Sequence, residues 1–322
     1  MFKYHKIHYI CSIVHNSIQL DALSDILKKI KITSAVYFKY DFSSPWGMDM
    51  PEGPFAKFHI VTRGQCVLKF KNRLIQLFAG DIVVFPLGTE HWLADIESSE
   101  RKLGQEVIEC IFSGKSLFEG EKIATTLICG HFEFDKSIDH PFIKELPEII
   151  HITDSEKKEL SWLESIINLV SQEAGIEKAG SNIIVNKLAE VLFIYVLRAY
   201  AQRKSSKIGF LAAIQDERIS KVLKAVHTSP EKDWSLSSLA QLAGMSRTGF
   251  SNKFKTLIGD TPFNYITQWR ILQAQELLKE SEKQVGEIAE IVGYKSEAAF
   301  NRVFKKRVAQ TPLKYRQSAL AY

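Results

Sequence analysis

A nine-residue stretch near the C-terminus occurs twice. Leu236-Ser-Ser-Leu239-Ala240-Gln-Leu-Ala-Gly244 returns 49 residues later as Val285-Gly-Glu-Ile288-Ala289-Glu-Ile-Val-Gly293. Beyond the glycine the offset becomes 50. Phe250 and Phe254 return as Phe300 and Phe304, Thr261-Pro262 as Thr311-Pro312, and Tyr265 as Tyr315. Repetition at a fixed period restricts this part of the chain to two copies of one small unit. The one-residue slip falls just after the glycine, where a turn tolerates insertion.

Each copy predicts helix, short turn, helix. In the first, Leu236, Leu239, Ala240 and Ala243 recur at helical spacing, and Gly244 suits a left-handed C-cap. Ser246 can cap the next helix, whose buried stripe is Phe250, Phe254 and Leu257. Arg247, Thr248, Ser251, Asn252, Lys253 and Lys255 fall between the apolar positions. In the second copy Ser296 is the N-cap and Phe300, Phe304 and Val308 form the stripe. Its open face carries Glu297, Asn301, Arg302, Lys305 and Lys306. A helix from about Pro262 to Glu280 joins the units, with Ile266, Trp269, Leu272 and Leu277 for packing. Such a second helix suits a major groove, where Arg bonds guanine bidentately and Asn bonds adenine, while Lys, Ser and Thr hold phosphates. Helical hairpins with polar faces also occur with no DNA role, so charge bears on the choice. The net charge is +5 over 322 residues, and residues 216–322 hold 17 Lys and Arg against 11 Asp and Glu. All the excess positive charge therefore lies in the last third, which favours a polyanion partner there.

Residues from about 216 to 317 resemble the DNA-binding domain of the AraC/XylS family of transcription regulators. The resemblance is carried by Trp234-Ser-Leu-x-x-Leu-Ala, Ala243-Gly-Met-Ser-Arg-x-x-Phe250, Trp269-Arg270, Ile288-Ala-x-x-Val-Gly-Tyr294, Ala299-Phe-x-Arg302-x-Phe-Lys305 and a closing Thr-Pro-x-x-Tyr-Arg316. It implies double-stranded promoter DNA as partner, with two recognition helices in successive major-groove segments. The first reader would be Arg247, Thr248, Ser251 and Asn252, flanked by Lys255. The second would be Glu297, Ala298, Asn301 and Arg302, with Ser296 before it and Lys305 after. Ala298 offers only a methyl contact. Ala309 stands where the family has glycine, and because left-handed Ala costs about 1 kcal/mol, a different ending is expected for that helix.

The first half has another texture. Between Ser34 and Phe134, short runs rich in Val, Ile and Phe alternate with turn residues: Ala35-Val-Tyr-Phe, Lys57-Phe-His-Ile-Val, Cys66-Val-Leu-Lys-Phe, Gly80-Asp-Ile-Val-Val-Phe-Pro and Thr125-Thr-Leu-Ile-Cys. This spacing predicts an antiparallel barrel or sandwich. Gly80-x5-Pro86-x-Gly88-x2-His91 resembles the second signature of the cupin barrels, and Phe58-His59-Ile-Val-Thr-Arg-Gly64 takes the place of the first. Together with Trp46-Gly47 and Cys129-Gly-His-Phe, they resemble the cupin-type sensor half of one AraC subfamily. The resemblance implies a small-molecule effector, for which Phe58, His59, Val61, Cys66, Leu68 and His91 are candidate lining residues, core packing being the alternative for the apolar ones. Metal-binding cupins carry further ligands in the first motif. His59 and His91 alone make two where three or four are needed, and nothing in the sequence places Cys129 or His131 beside them. No metal and no cofactor are expected, and the pair is read as hydrogen-bonded histidines inside the barrel.

Two helical segments lie between the halves. Thr153-Asp-Ser-Glu156 matches a capping box ahead of Leu160, Leu163, Ile167 and Val170. Gly180-Ser181 opens a second helix whose apolar residues Ile184, Leu188, Val191, Leu192, Tyr195 and Val196 cover more than one face. They are read as a homodimerisation element, with simple domain packing as the alternative. The expected fold class is α+β multidomain: an N-terminal cupin-like antiparallel β-barrel with a helical dimerisation segment, then an all-α domain with two helix-turn-helix units. The expected boundaries are a tail over 1–20 (with His5, His8 and His15), the sensor barrel over 21–150, the helical segment over 151–201, a linker over 202–215, and the DNA-binding domain over 216–322.

Four scattered cysteines (Cys11, Cys66, Cys110 and Cys129) without a CxxC pair argue against a disulfide framework. Neither a secretory signal nor a membrane span is read, so a cytoplasmic location with no membrane partner is expected. Phosphate-loop, dinucleotide, nucleophile-elbow and HExxH signatures are absent, and no enzyme is expected. The function read is a sequence-specific transcription regulator, an activator contacting RNA polymerase being one form of it. The rivals are a metal-dependent cupin enzyme with an accessory DNA-binding domain and a non-specific DNA packager.

Overall fold

The computed structural model describes residues 21–115, 118, 120, 122–134, 140–153, 161–174, 178–202 and 209–320. The tail over 1–20, the capping box over 153–156 beyond its first residue, and residues 203–208 of the linker lie outside them. The described residues form two compact units: those within 31–134 and 143–202 make one, and those within 21–30, 140–142 and 209–320 the other.

The first unit is a nine-stranded sheet curled into a cupin-like half-barrel. Its strands are β1 (Thr33–Ser43), β2 (Gly47–Met50), β3 (Ala56–Phe70), β4 (Arg73–Phe78), β5 (Ile82–Phe85), β6 (His91–Ala94), β7 (Lys102–Leu103), β8 (Ile123–Glu133) and β9 (Ile150–Ile152). The main path runs β1-β8-β3-β6-β2-β7. The runs at Lys57 and Cys66 are one 15-residue strand, not two. Before Gly64, β3 pairs with β8 and β5; after it, with β4 and β6. Gly64 makes this transfer possible: its φ is +74°, and a Cβ there would lie 2.0 Å from the Ala124 carbonyl oxygen. Only glycine takes both the left-handed backbone and the close approach. A short helix α1 (Ala22–Ile30) precedes the sheet in the chain, and α2 (Gly104–Phe112) and α3 (Pro141–Lys144) fall between strands.

Helices α4 (Ser161–Glu173) and α5 (Ser181–Gln202) pack together, and α5 lies against β1 and β9 of this sheet. Asn186 fixes the docking of α5. Its backbone carbonyl accepts from Ser34 Oγ at 2.6 Å, and its side-chain oxygen accepts from the Val36 amide at 3.0 Å. Phe193 packs tilted against Phe132, with ring centroids 4.6 Å apart, and Lys39 reaches the Ser171 carbonyl at 2.9 Å. The sequence marks α5 as apolar on more than one face, and the excess stays outside: Ile183 is 69% and Ile184 48% exposed.

The second unit is helical: α6 (Phe210–Gln215), α7 (Glu217–Thr228), α8 (Leu236–Leu242), α9 (Arg247–Ile258), α10 (Pro262–Glu280), α11 (Val285–Ile291), α12 (Glu297–Val308) and α13 (Pro312–Leu320). Two segments from the first half of the chain, α1 and the stretch at His140, pack with it. Helix α1 buries Ala22, Leu23, Ile26 and Ile30 and packs on α7. Its Asp25 lies 3.3 Å from His227 Nδ1, and Lys29 pairs with Glu276. His140 is set edge-on to Phe210, Tyr265 and Trp269. The apolar stripe of a nine-residue helix fits a groove between helices as well as it fits a sheet, so periodicity alone does not choose.

Candidate functional site

The two copies of the repeat fold alike down to their hydrogen bonds. In the first turn the Gly244 amide donates to Gln241 O and Met245 to Ala240 O; in the second, Gly293 donates to Glu290 O and Tyr294 to Ala289 O. Both glycines have positive φ, +61° and +88°. This is a Schellman closure, which satisfies the last carbonyls of the first helix and turns the chain. The next helix starts on a serine in each copy: Ser246 Oγ accepts from the Gly249 amide and Ser296 Oγ from Ala299, both at 3.2 Å. The inserted residue leaves this start intact because it lies between closure and cap.

Helix α9 turns Phe250, Phe254 and Leu257 inward, and α12 turns Phe300 and Phe304 inward. Arg247, Thr248, Asn252 and Lys255 are exposed and Ser251 is half-buried. Ser296, Glu297, Ala298, Arg302 and Lys305 are exposed, with Asn301 half-buried. Asn301 is the least free of them. Its amide nitrogen leans 3.5 Å from Glu297 Oε1, and its side-chain oxygen is buried with no hydrogen-bond partner. All eleven residues thus fall on the polar faces of the two helices, opposite the phenylalanines that hold them.

Arg270 and Arg316 do other work. Arg270 donates to the carbonyls of Pro230 and Lys232 at 2.7 and 3.0 Å, and Arg316 to those of Leu278 and Lys283 at 3.2 and 2.7 Å. Each ties a loop to a helix, so these are structural clamps.

Helix α12 ends as α9 does, which corrects the expectation of a different ending. Ala309 has φ +60° and ψ +5°, beside φ +73° and ψ −5° at Gly259. The surrounding packing holds an alanine in the left-handed region against about 1 kcal/mol of strain. Ala309→Gly is therefore expected to raise stability by about that amount, read as a higher midpoint in denaturant. An unchanged or lower midpoint would mean that the cap is not strained.

Within the sheet, the structure joins three residues far apart in sequence. His59 and Cys129 are directly opposed across β3 and β8. His59 Nδ1 lies 3.0 Å from Cys129 Sγ, His59 Nε2 lies 2.8 Å from His91 Nε2, and His91 Nδ1 lies 2.8 Å from the Thr89 carbonyl oxygen. The carbonyl can only accept, so His91 carries its proton on Nδ1 and accepts at Nε2. His59 then donates from Nε2 and accepts the Cys129 thiol proton at Nδ1. Every member of this chain is neutral. Burial, the neighbouring His91 and Lys57 hold His59 well below its ordinary value; burial pulls His91 down to about 3, and pushes Cys129 well up.

Val61, Cys66, Leu68 and Cys129 share one core with Phe85, on which His91 stacks with centroids 3.6 Å apart. Phe58 is not among them. Strand alternation sends it to the other face, where it stacks on Phe132 at 4.7 Å. The nitrogens that a metal would use face each other at hydrogen-bond distance, closer than two ligands of a tetrahedral zinc sit. His131 is engaged elsewhere, 2.9 Å from Glu133. Among the described residues no three His, Cys, Asp or Glu side chains converge to hold a metal ion, and the cupin motif residues present do not fit one. Sequence reasoning missed the Cys129 contact because only strand register brings it to His59.

A curled cupin-like sheet followed by paired helix-turn-helix units defines a DNA-binding transcription regulator. Residues 21–202 match the family model described as Cupin, and residues 239–318 that of a helix-turn-helix domain. An uncharacterized HTH-type transcriptional regulator of Haemophilus influenzae is 31% identical over 306 residues, spanning 93% of this chain and 99% of the relative. The HTH-type transcriptional regulator AlkR of Acinetobacter baylyi is 29% identical over 313 residues, spanning 93% and 100%. The crystal structure of the DNA-binding domain of AdpA with a target DNA matches 31% of this chain and 90% of that one, at 31% identity and a TM-score of 0.30. The chain belongs to the AraC-like transcription regulators with an N-terminal cupin domain. Among the described residues no helix is long and apolar enough to cross a membrane.

Proposed function

We propose that α9 and α12 read a specific promoter sequence, with Arg247, Thr248, Ser251 and Asn252 in one groove segment and Glu297, Ala298, Asn301 and Arg302 in the next. Lys255 and Lys305 hold phosphates. One observation carries this: both helices start on a serine cap, bury a phenylalanine pair at the same spacing and leave the corresponding positions between them, Lys255 and Lys305 among them, off the core. Arg302→Ala and Asn252→Ala are expected to relax base preference by about 1–3 kcal/mol. Lys305→Ala weakens all sequences alike and lowers the salt slope by about 1. Selection from random duplexes at fixed salt, followed by footprinting, checks both. Equal losses on cognate and random duplexes for Arg302→Ala and Asn252→Ala would remove the reader assignment.

The protein acts without catalysis in this reading, since the cupin motif lacks the ligands of a metal enzyme. The concave interior bearing His59, Val61, Cys66, Leu68 and His91 is proposed as the effector-facing side, supported by their shared core. Leu169, Ile183, Ile184 and Val191 are exposed on α4 and α5 and are proposed to meet a second copy. A footprint covering two repeats of the selected sequence supports the homodimer; one covering a single site opposes it.

A further inference from the structure

Helices α7 and α8 border an open groove of about 850 Å³ that none of the eleven proposed DNA-reading residues lines. Lys221 and Lys224 stand one turn apart on α7, and Lys232 comes from the loop before α8. The groove's apolar lining is Ala225, the Trp234 ring and Leu242, which is 40% exposed, beside the polar Thr228, Ser229, Ser238 and Gln241. Trp234 is fixed in place, its indole N–H donating to the Ser229 carbonyl at 2.9 Å, and the Lys232 ammonium sits 4.7 Å over its ring. No aspartate or glutamate lines the groove. Lys221 is also paired with the exposed Glu217 at 2.9 Å, and Asp233, next to Lys232 in the chain, is turned to Lys295 at 3.2 Å.

We propose that this groove docks an acidic segment of a protein partner, with carboxylates on the three lysines and an apolar side chain on Trp234 and Leu242. Charge complementarity selects the sign of the occupant, and the apolar lining selects its kind. A phosphodiester backbone is recognised by charge and polar groups with no need of an apolar lining. A segment carrying both carboxylates and an apolar side chain pairs with the lysines and covers Trp234 and Leu242 together, with Thr228, Ser229, Ser238 and Gln241 left to hydrogen-bond its polar groups. The volume is that of a site for a few side chains. The assignment does not depend on which residues read the bases.

The test is selection of random peptides from a display library on the full-length protein. Enrichment of Asp- and Glu-rich peptides that carry Leu, Phe or Trp is expected. A chosen peptide, synthesised and labelled, should lose at least fivefold in affinity with the K224Q/K232Q double variant, and with Leu242→Asn separately. Both variants change exposed side chains, and an unchanged circular dichroism spectrum certifies the fold. Duplex binding by K224Q/K232Q should keep the parent's salt slope. Three results overturn the proposal: no acidic peptide is enriched, the enriched peptides bind the variants as they bind the parent, or the duplex salt slope falls by about 1–2 while peptide binding persists. The last would make the lysines phosphate contacts.

Discussion

Phe300→Ala is expected to destabilise the C-terminal unit by about 3–5 kcal/mol and to abolish DNA binding. Phe300 is fully buried at the centre of a cluster made by Ile271, Ala274, Leu278, Ile288, Ala289, Val292, Phe304 and Tyr315. It touches the ring of Tyr294 on one side, at 5.4 Å between centroids, and that of Phe304 on the other, at 5.5 Å. Truncation therefore removes the transfer free energy of a large ring, opens a cavity and breaks two aromatic contacts. A loss of that size is a large share of the 5–15 kcal/mol that typically holds a domain together. Denaturant unfolding reads the stability and mobility shift the binding. A variant that retained parental stability would show that α12 is not anchored by this ring, and the exposed polar face of that helix would lose its rigid support.

Acid is the second large lever. His59 and His91 in the sheet and His140 in the helical unit are buried and held neutral, His91 and His140 by burial down to about 3, His140 also by the charge of His227. In the unfolded chain each titrates near the ordinary value of about 6.5. Between those values the unfolded state binds the proton and the folded state does not. Stability is thus fully present above pH 6.5 and drains away as pH falls toward 3. His91 and His140 each contribute about 1.4 kcal/mol per pH unit in that window, or about 2 kcal/mol by pH 5. In the sheet unit His59, held low by burial, His91 and Lys57, adds to the loss through His91 in the same direction. Denaturant midpoints at pH 7.5 and 5.0 measure this before most carboxylates protonate. A flat profile over that range would show that the pair charges without unfolding, and the neutral chain from Cys129 to Thr89 would be wrong.

Local signals were legible where the physics is local. Ser246 and Ser296 cap the helices they precede, Pro262–Glu280 forms the joining helix, and Gly244 and Gly293 close the turns, because caps and turns depend on a few adjacent residues. The inward stripe of Phe250 and Phe254 follows from helical spacing in the same way. Phe58 and His59 are neighbours in β3, so strand alternation alone puts them on opposite faces, Phe58 against Phe132.

What the sequence determined by itself is the duplicated unit and its chemistry: two capped helices, apolar on one side and basic or amide-bearing on the other. Tertiary structure alone decided the rest. The Cys129–His59–His91 chain spans 70 residues and exists only through the register of β8 on β3. Helix α1 belongs to the helical core because Asp25 and Ile26 find partners there, which its own amphipathic pattern cannot specify. Ala309 keeps a left-handed backbone that its side chain disfavours, since the packing around both ends of the turn outweighs a local preference of about 1 kcal/mol. Sequence patterns encode which faces are apolar; which apolar faces meet is settled by the shape and register of the whole fold.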